Sequence, residues 1–264
     1  MVIQLKGKNI VITGASSGIG ESLAYKVARE GARPILLARS VEKLKDICRS
    51  LNETYGADSI WFQLDVGNRG DIGRVFKQIE QTVGTIDILV NSAGFGIYEY
   101  VADADLADYE EMFSVNVLGT IACTKAVLPQ MIGRNSGHII NIASQAGKLA
   151  TPKSSGYSAT KFAVLGFSNS LRLELIETDI HISTVNPGPI DTNFFERADQ
   201  SGTYQQKAKK MMMSTDYVAG KIVRLMQHPK RELNLPRWMN IGSAIYNLIP
   251  GFVEKIAGKK FNMK

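Results

Sequence analysis

The chain has almost no cysteine: Cys48 and Cys123 alone among 264 residues. Both sit in stretches patterned as helix, and two such thiols set no disulfide framework. Histidine is nearly as scarce. His138, His181 and His228 show no mutual metal-ligand spacing, so they read as structural side chains and no metal is expected. No run approaches the ~18 apolar residues that a membrane span requires. The opening MVIQLKGKNIVITGAS lacks the long apolar region of a signal peptide and passes directly into β-branched sequence. These absences point to a soluble chain in a reducing, cytoplasmic setting. Blocks of one charge are missing as well. The formal charge is +6 and the pI about 9.2, yet Lys and Arg are scattered among acids over most of the chain. That balance could suit an anionic ligand, a nucleic acid or a membrane surface. With basic and acidic residues mixed over most of the chain, nucleic acid is not expected as a partner, and RNA binding is at most a side function.

What the chain does have is 44% hydrophobic residues and enough length to bury roughly three-quarters of its unfolded surface. Residues 8–13 (KNIVIT), 33–38 (RPILLA), 59–64 (SIWFQL), 85–90 (TIDILV), 138–143 (HIINIA) and 181–186 (HISTVN) read as six strands. Between them, 21–32, 41–53, 71–83, 104–131 and the segment from about 155 onward read as helices. This alternation predicts an α/β fold: one doubly wound parallel sheet with helices on both faces. No linker-like composition divides it.

The first strand runs into Gly14-Ala15-Ser16-Ser17-Gly18-Ile19-Gly20 and then a helix. Strand, glycine loop and helix in that order make an anion site, because glycines let the backbone approach closely and free helical N–H groups favour a pyrophosphate. The spacing is G-x-x-x-G-x-G rather than the common G-x-G-x-x-G. Some ~20 residues past such glycines, an acid selects a ribose hydroxyl and an arginine a 2′-phosphate. Ala38, Arg39 and Ser40 stand there, with no acid before Glu42, which favours NADP over NAD. Asp65, after the third strand, could accept from an adenine amino group or cap the helix starting near Asn68. Small residues at Asn91-Ser92-Ala93-Gly94 leave room for a ribose at the end of the fourth strand. Asn116 and Gly119 are poor helix formers inside 104–131. An asparagine that bends a helix can present a carbonyl or hold a water.

Ser144 ends the fifth strand, where open α/β sheets place ligands. Thirteen residues later comes Tyr157, with Lys161 four residues beyond it. On a helix those two side chains share one face, ~6 Å apart along the axis. An ammonium beside a phenol favours the phenolate, and so makes tyrosine a usable general acid or base.

In this order TGASSGIG (13–20), NSAG (91–94), Asn116, Ser144, YSATK (157–161) and NPGPIDT (186–192) resemble the short-chain dehydrogenase/reductase family, in its ordinary ~250-residue branch. The likeness covers roughly residues 5–235. It implies a single-domain Rossmann fold of about seven strands, the seventh over 232–235. It also implies a carbonyl–alcohol oxidoreductase with Tyr157 as acid in reduction and base in oxidation. Lys161 would lower the tyrosine pKa and hold the nicotinamide ribose. Ser144 would bind the substrate oxygen, and Asn116 would anchor a water in a proton relay. Arg39, with Ser16 or Ser17, would take the 2′-phosphate. Gly14, Gly18, Ile19, Gly20, Asp65, Asn91, Ala93, Gly94, Pro187, Gly188, Ile190 and Thr192 would complete the cofactor site, with Thr192 on the carboxamide. The resemblance also implies a homodimer or homotetramer. Ser92 stands where the family often has a second asparagine, and Gln145 where a second serine is frequent.

Residues 194–215 should close over the substrate, and their Phe194, Phe195 and Met211–Met213, with Phe95, Ile97 and Tyr98, suit an apolar molecule. Lys207, Lys209 and Lys210 read as a solvated face. The domain is expected over 1–236. Residues 237–264 form an amphipathic, basic extension that should pack on the domain or a partner subunit in preference to a membrane surface. A second reading is a nucleotide-sensing binding protein on a reductase fold.

Overall fold

The computed structural model describes residues 2–199 and 202–261. Gln200 and Ser201 of the expected closing segment, and residues 262–264 of the extension, lie outside the described residues. Strands β1 (Asn9–Thr13), β2 (Arg33–Ala38), β3 (Ile60–Gln63), β4 (Ile88–Asn91), β5 (Gly137–Ile142), β6 (Ile180–Pro187) and β7 (Glu232–Leu235) form one sheet in the order β3-β2-β1-β4-β5-β6-β7. Every neighbouring pair is parallel. The expected seventh strand is thus present with its stated bounds.

The strands read as apolar runs because both faces are covered. Ile10 and Ile12 of β1 and Leu36 of β2 face one core layer, with Leu23 and Val27 of α1 (Gly18–Arg29), Leu44 and Ile47 of α2 (Val41–Tyr55), and Val218 and Ile222 of α9 (Thr215–Gln227). Val11, Ile35 and Leu37 face the other layer. There they meet Ile72, Phe76 and Ile79 of α3 (Arg69–Val83), Cys123 and Val127 of α5 (Thr120–Gly133), and Leu171 of α6 (Ser155–Glu174). After β3 the chain crosses back over the sheet to β4, so β1 and β4 flank the switch point where ligands bind at strand carboxyl ends.

The predicted helix over 104–131 is three pieces: α4 (Leu106–Phe113), a π-helical segment (Ser114–Gly119) and α5. Asn116 and Gly119 lie in the π segment. Gly119 fits there because a Cβ would come 2.8 Å from the Val66 carbonyl oxygen. Taken together, Leu106–Gly133 is 28 residues, and an 18-residue stretch within it has a mean hydropathy of 1.3, long and apolar enough by length and composition alone to cross a membrane. That average covers a mixed stretch interrupted by Asn116 and Lys125, not the unbroken run of ~18 apolar residues that the sequence lacks. Met112, Val117, Val127 and Met131 of Leu106–Gly133 are buried in the protein, as in a core helix.

Beyond β6 come α7 (Phe194–Ala198), α8 (Thr203–Ala208) and α9, tied to the β6 loop by a parallel bridge between Ile190 and Met213. The chain continues through α10 (Arg237–Leu248) and α11 (Pro250–Phe261). One side of α10 lies on the domain: Ser243 is buried, Lys148 Nζ donates to Asn240 Oδ1 at 3.1 Å, and the Met239 sulfur stands where a Cβ on Gly188 would lie 2.8 Å away.

Candidate active site

A cleft of about 530 Å³ opens at the carboxyl ends of β1, β2, β4, β5 and β6. Gly14, Ser16, Ser17, Gly18 and Ile19 form one wall and Arg39 and Asp65 the far end. Ala93, Gly94, Pro187, Gly188, Ile190 and Thr192 complete the cofactor side, and Ser144, Tyr157 and Lys161 stand across from them. Three expected site residues do not line it: Gly20, Asn91 and Asn116. Each supports the wall from behind. Gly20 lies against the loop, where a Cβ would meet the Gly14 carbonyl oxygen at 2.4 Å. Asn91 is buried and donates to Asn141 Oδ1 (2.8 Å) and Thr124 Oγ1 (3.2 Å). Asn116 accepts from the Phe95 amide at 3.0 Å and donates to the Phe95 carbonyl (2.8 Å) and Thr160 Oγ1 (3.1 Å). Its own carbonyl accepts from Thr120 Oγ1 at 2.8 Å. In this geometry Asn116 is a positioning residue that ties the β4 turn to α6.

The glycine wall fits a dinucleotide phosphate. Gly14 has φ +67°, and a Cβ there would lie 2.8 Å from Ala93 Cα, so the β1 and β4 turns touch backbone to backbone. Thr13 Oγ1 locks that contact by accepting from the amides of Ser92 and Ala93, each at 3.0 Å. Ser92 therefore contributes its amide, whatever its side chain. Ser17 is the N-cap of α1 but its side chain makes no capping bond, which leaves first-turn N–H groups for an anion. Asp65 does not cap α3, since Asn68 does so by accepting from Gly70 N. The Asp65 carboxylate accepts from Gly67 N at 2.9 Å and faces the cleft.

Tyr157 and Lys161 share one face of α6, 8% and 6% exposed. The Lys161 ammonium lies 5.6 Å from the Tyr157 ring centre and donates to the Ile142 carbonyl at 2.9 Å. Sequence reasoning assigns the phenol's acidity to that ammonium. The structure shows burial to be the larger influence. It pushes Tyr157 up to about 12, against a hydrogen bond with Ser144 that pulls it down, and Tyr204 adds to the rise. Burial likewise lowers Lys161 to about 8. Ser144 Oγ also accepts from Ala146 N at 3.0 Å, which fixes the hydroxyl at the end of β5. The next residue, Gln145, is buried and donates to the Asn186 carbonyl at 2.9 Å, while its Oε1 faces no partner among the described residues.

These two shifts have opposite consequences for stability. Below pH 8 the folded chain carries a buried Lys161 ammonium at full cost. Between about 8 and the ordinary 10.5 the unfolded chain binds the proton that the folded chain has shed, so stability rises with pH. For Tyr157 the folded chain keeps its proton between 10.0 and about 12 while the unfolded chain loses it, so stability falls across that range. Without cofactor, Lys161→Met should be more stable than the parent by about 2 kcal/mol at pH 7 and by almost nothing at pH 10. Urea titrations at the two pH values measure this. A difference independent of pH would remove Lys161 as its source.

At the substrate end the expected Phe95, Tyr98, Phe194 and Phe195 are joined by side chains that sequence reasoning missed, Tyr204 among them. Tyr98 and Phe194 make ring contacts with Tyr157, and Phe195 and Tyr204 extend the cluster, with centroids 5.4–6.4 Å apart for the pairs that include Tyr98. Gly96 makes room for them, because a Cβ there would lie 2.8 Å from Tyr157 Cδ2 and 2.9 Å from Phe194 Cζ. Arg197 stacks on Phe95 with 3.6 Å between guanidinium carbon and ring centre, and pairs with Glu111. Leu149, Thr151 and Met239 complete this end. The aromatic residues Phe95 and Tyr98 around Gly96 were the available signal. Nothing local marks Tyr204 or Met239. Lys207, Lys209 and Lys210 are exposed, as a solvated face requires.

Comparison with known proteins supplies the family. A family model described as short chain dehydrogenase matches residues 8–202. An uncharacterized oxidoreductase of Staphylococcus saprophyticus, SSP0419, is 34% identical over 86% of this chain and 94% of its own length. The alcohol dehydrogenase of the archaeon Thermococcus sibiricus, solved with 5-hydroxy-NADP, is 28% identical and superposes with a TM-score of 0.80 over 87% of this chain and 96% of that one. A short chain dehydrogenase/reductase from Burkholderia phymatum, solved with NAD, has a TM-score of 0.87 at 22% identity over 95% and 96% of the two chains, and speaks to the fold alone. With the glycine wall, the Ser144–Tyr157–Lys161 face and the seven-stranded sheet in place, the chain belongs to the short-chain dehydrogenase/reductase family of nicotinamide-dependent oxidoreductases.

Proposed function

We propose that this oxidoreductase is an NADP(H)-dependent carbonyl reductase or alcohol dehydrogenase acting on an apolar small molecule, with Tyr157 as its general acid or base. The observation that carries the reading is Tyr157, Lys161 and Ser144 together on one side of a cleft whose opposite wall fits a dinucleotide. A bound nicotinamide supplies or accepts the hydride. The chain's own groups do the rest. Ser144 holds the substrate oxygen, Tyr157 gives its proton to that oxygen in reduction, and Lys161 anchors the ribose side of the cleft. A phenol held protonated by burial is suited to the donor role. Asn116 and Gly96 keep Phe95 and the Tyr157 ring in register, which a near-attack geometry demands. The rings of Phe194, Phe195 and Tyr204 give the substrate an apolar wall. Consumption of NADPH absorbance across a panel of aromatic and aliphatic carbonyls tests the activity, and no turnover of any member would count against it.

The NADP preference rests on Arg39. It is exposed at the end of β2, lines the cleft, and its guanidinium has no ion-pair partner among the described residues. The 5-hydroxy-NADP held by the Thermococcus relative agrees with it. In thermal-shift titrations NADPH should stabilise the chain more than NADH, and Arg39→Ala should weaken NADPH about 10–100-fold while leaving NADH nearly unchanged. Equal stabilisation by both cofactors removes the preference. Exposed Phe113 and Leu118 on the α4–α5 run, with Phe162 and Leu173 on α6, support assembly into a homo-oligomer through these helices. Two buried free thiols accord with a reducing, cytoplasmic setting.

A further inference from the structure

Helix α10 has two faces, and only one of them is accounted for by the fold. Met239, Asn240 and Ser243 lie against the domain. Trp238, Ile241, Ile245 and Leu248, spaced at helical intervals, form a second stripe that is 46–81% exposed. Ile249 and Phe252 extend it toward α11, at 48% and 61% exposed. Isolated apolar residues on a surface need no explanation, but a contiguous stripe led by tryptophan does.

The charge of the same segment selects the occupant. Residues 237–264 hold five basic side chains, Arg237, Lys255, Lys259, Lys260 and Lys264, against the single acid Glu254. That is +4 of the chain's formal +6, in its last tenth. A second copy meeting this face across a two-fold axis would set +4 against +4, which opposes self-association here. A surface of anionic headgroups over an apolar interior complements both features. The aliphatic stripe enters the acyl boundary, Trp238 sits at headgroup level, and the lysines meet lipid phosphates. We propose that α10 and α11 dock this chain on an anionic phospholipid bilayer. Because Met239, on the opposite side of α10, lines the substrate end of the cleft, docking brings that end close to the membrane.

Vesicle co-sedimentation of the full chain tests this without reference to catalysis. Vesicles of phosphatidylcholine alone are compared with vesicles containing about a third phosphatidylglycerol. Partition onto the anionic vesicles should be at least about tenfold stronger, and high salt should remove the excess. Leu248→Asp and Phe252→Asp, both at exposed positions, should each weaken partition about tenfold or more with an unchanged melting temperature. Lys255→Glu should weaken it at least about fivefold on anionic vesicles only. Equal partition onto the two vesicle types overturns the proposal, as does binding that Leu248→Asp leaves intact. So does a change from dimer to monomer in light scattering of Leu248→Asp without vesicle binding, which would assign the stripe to a second copy.

Discussion

Tyr157→Phe is expected to lower kcat for carbonyl reduction about 10³-fold while changing cofactor affinity less than about threefold. Phenylalanine keeps the ring and its contacts with Tyr98 and Phe194, at centroid distances of 6.0 and 5.5 Å. What it removes is the hydroxyl, on the side of the cleft where Ser144 stands. The ring is buried, so the variant loses no apolar packing and should melt near the parent. Single-turnover rates with saturating NADPH separate the chemical step from binding. A variant that turned over the same substrate at the parent rate would show that the proton comes from elsewhere. Tyr98, with its ring centre 6.0 Å from that of Tyr157, would be the neighbouring phenol to test as that donor.

The second large effect concerns the backbone. Gly14→Ala should cost about 3–4 kcal/mol of stability and weaken the cofactor at least about 50-fold. Two penalties combine. The residue sits at φ +67°, which strains any L side chain, and its Cβ would press on Ala93 Cα and N at 2.8 and 2.9 Å. Relief requires the β1 and β4 turns to separate, which breaks the two hydrogen bonds that the Ser92 and Ala93 amides donate to Thr13 Oγ1. Gly56→Ala isolates the first penalty. That glycine has φ +59° with nothing within 4 Å of its Cβ position, so only the conformational cost of about 1–2 kcal/mol remains. Denaturant titrations of both variants, with a cofactor titration of each, measure the pair. Equal losses in the two would mean that the contact with Ala93 is not rigid.

The fold was readable because its signals are local. Each strand is a short β-branched run bounded by glycine or polar residues, and the glycine loop announces the first crossover. Ser144, Tyr157 and Lys161 were legible because a strand end and a helical four-residue spacing fix where they point. What escaped depends on distant parts of the chain. The π segment at Ser114–Gly119 forms around Asn116, whose partners Phe95 and Thr160 are 21 and 44 residues away. The acidity of Tyr157 was misjudged because spacing reveals a neighbouring ammonium but not the rings of Phe194 and Tyr204 that bury the phenol. Asp65 and Asn68 compete for one cap in sequence, and only the turn geometry decides between them.

The strands of this sheet are all parallel, so their carboxyl ends open together on the rim that holds the cleft and their amino ends on the opposite rim. Thr85, exposed in the connection just before β4, lies on that far rim. A tether or fluorescent label fixed there would hold the molecule with its cleft turned outward, leaving both ligand access and the free face of α10 open to whatever is offered in solution.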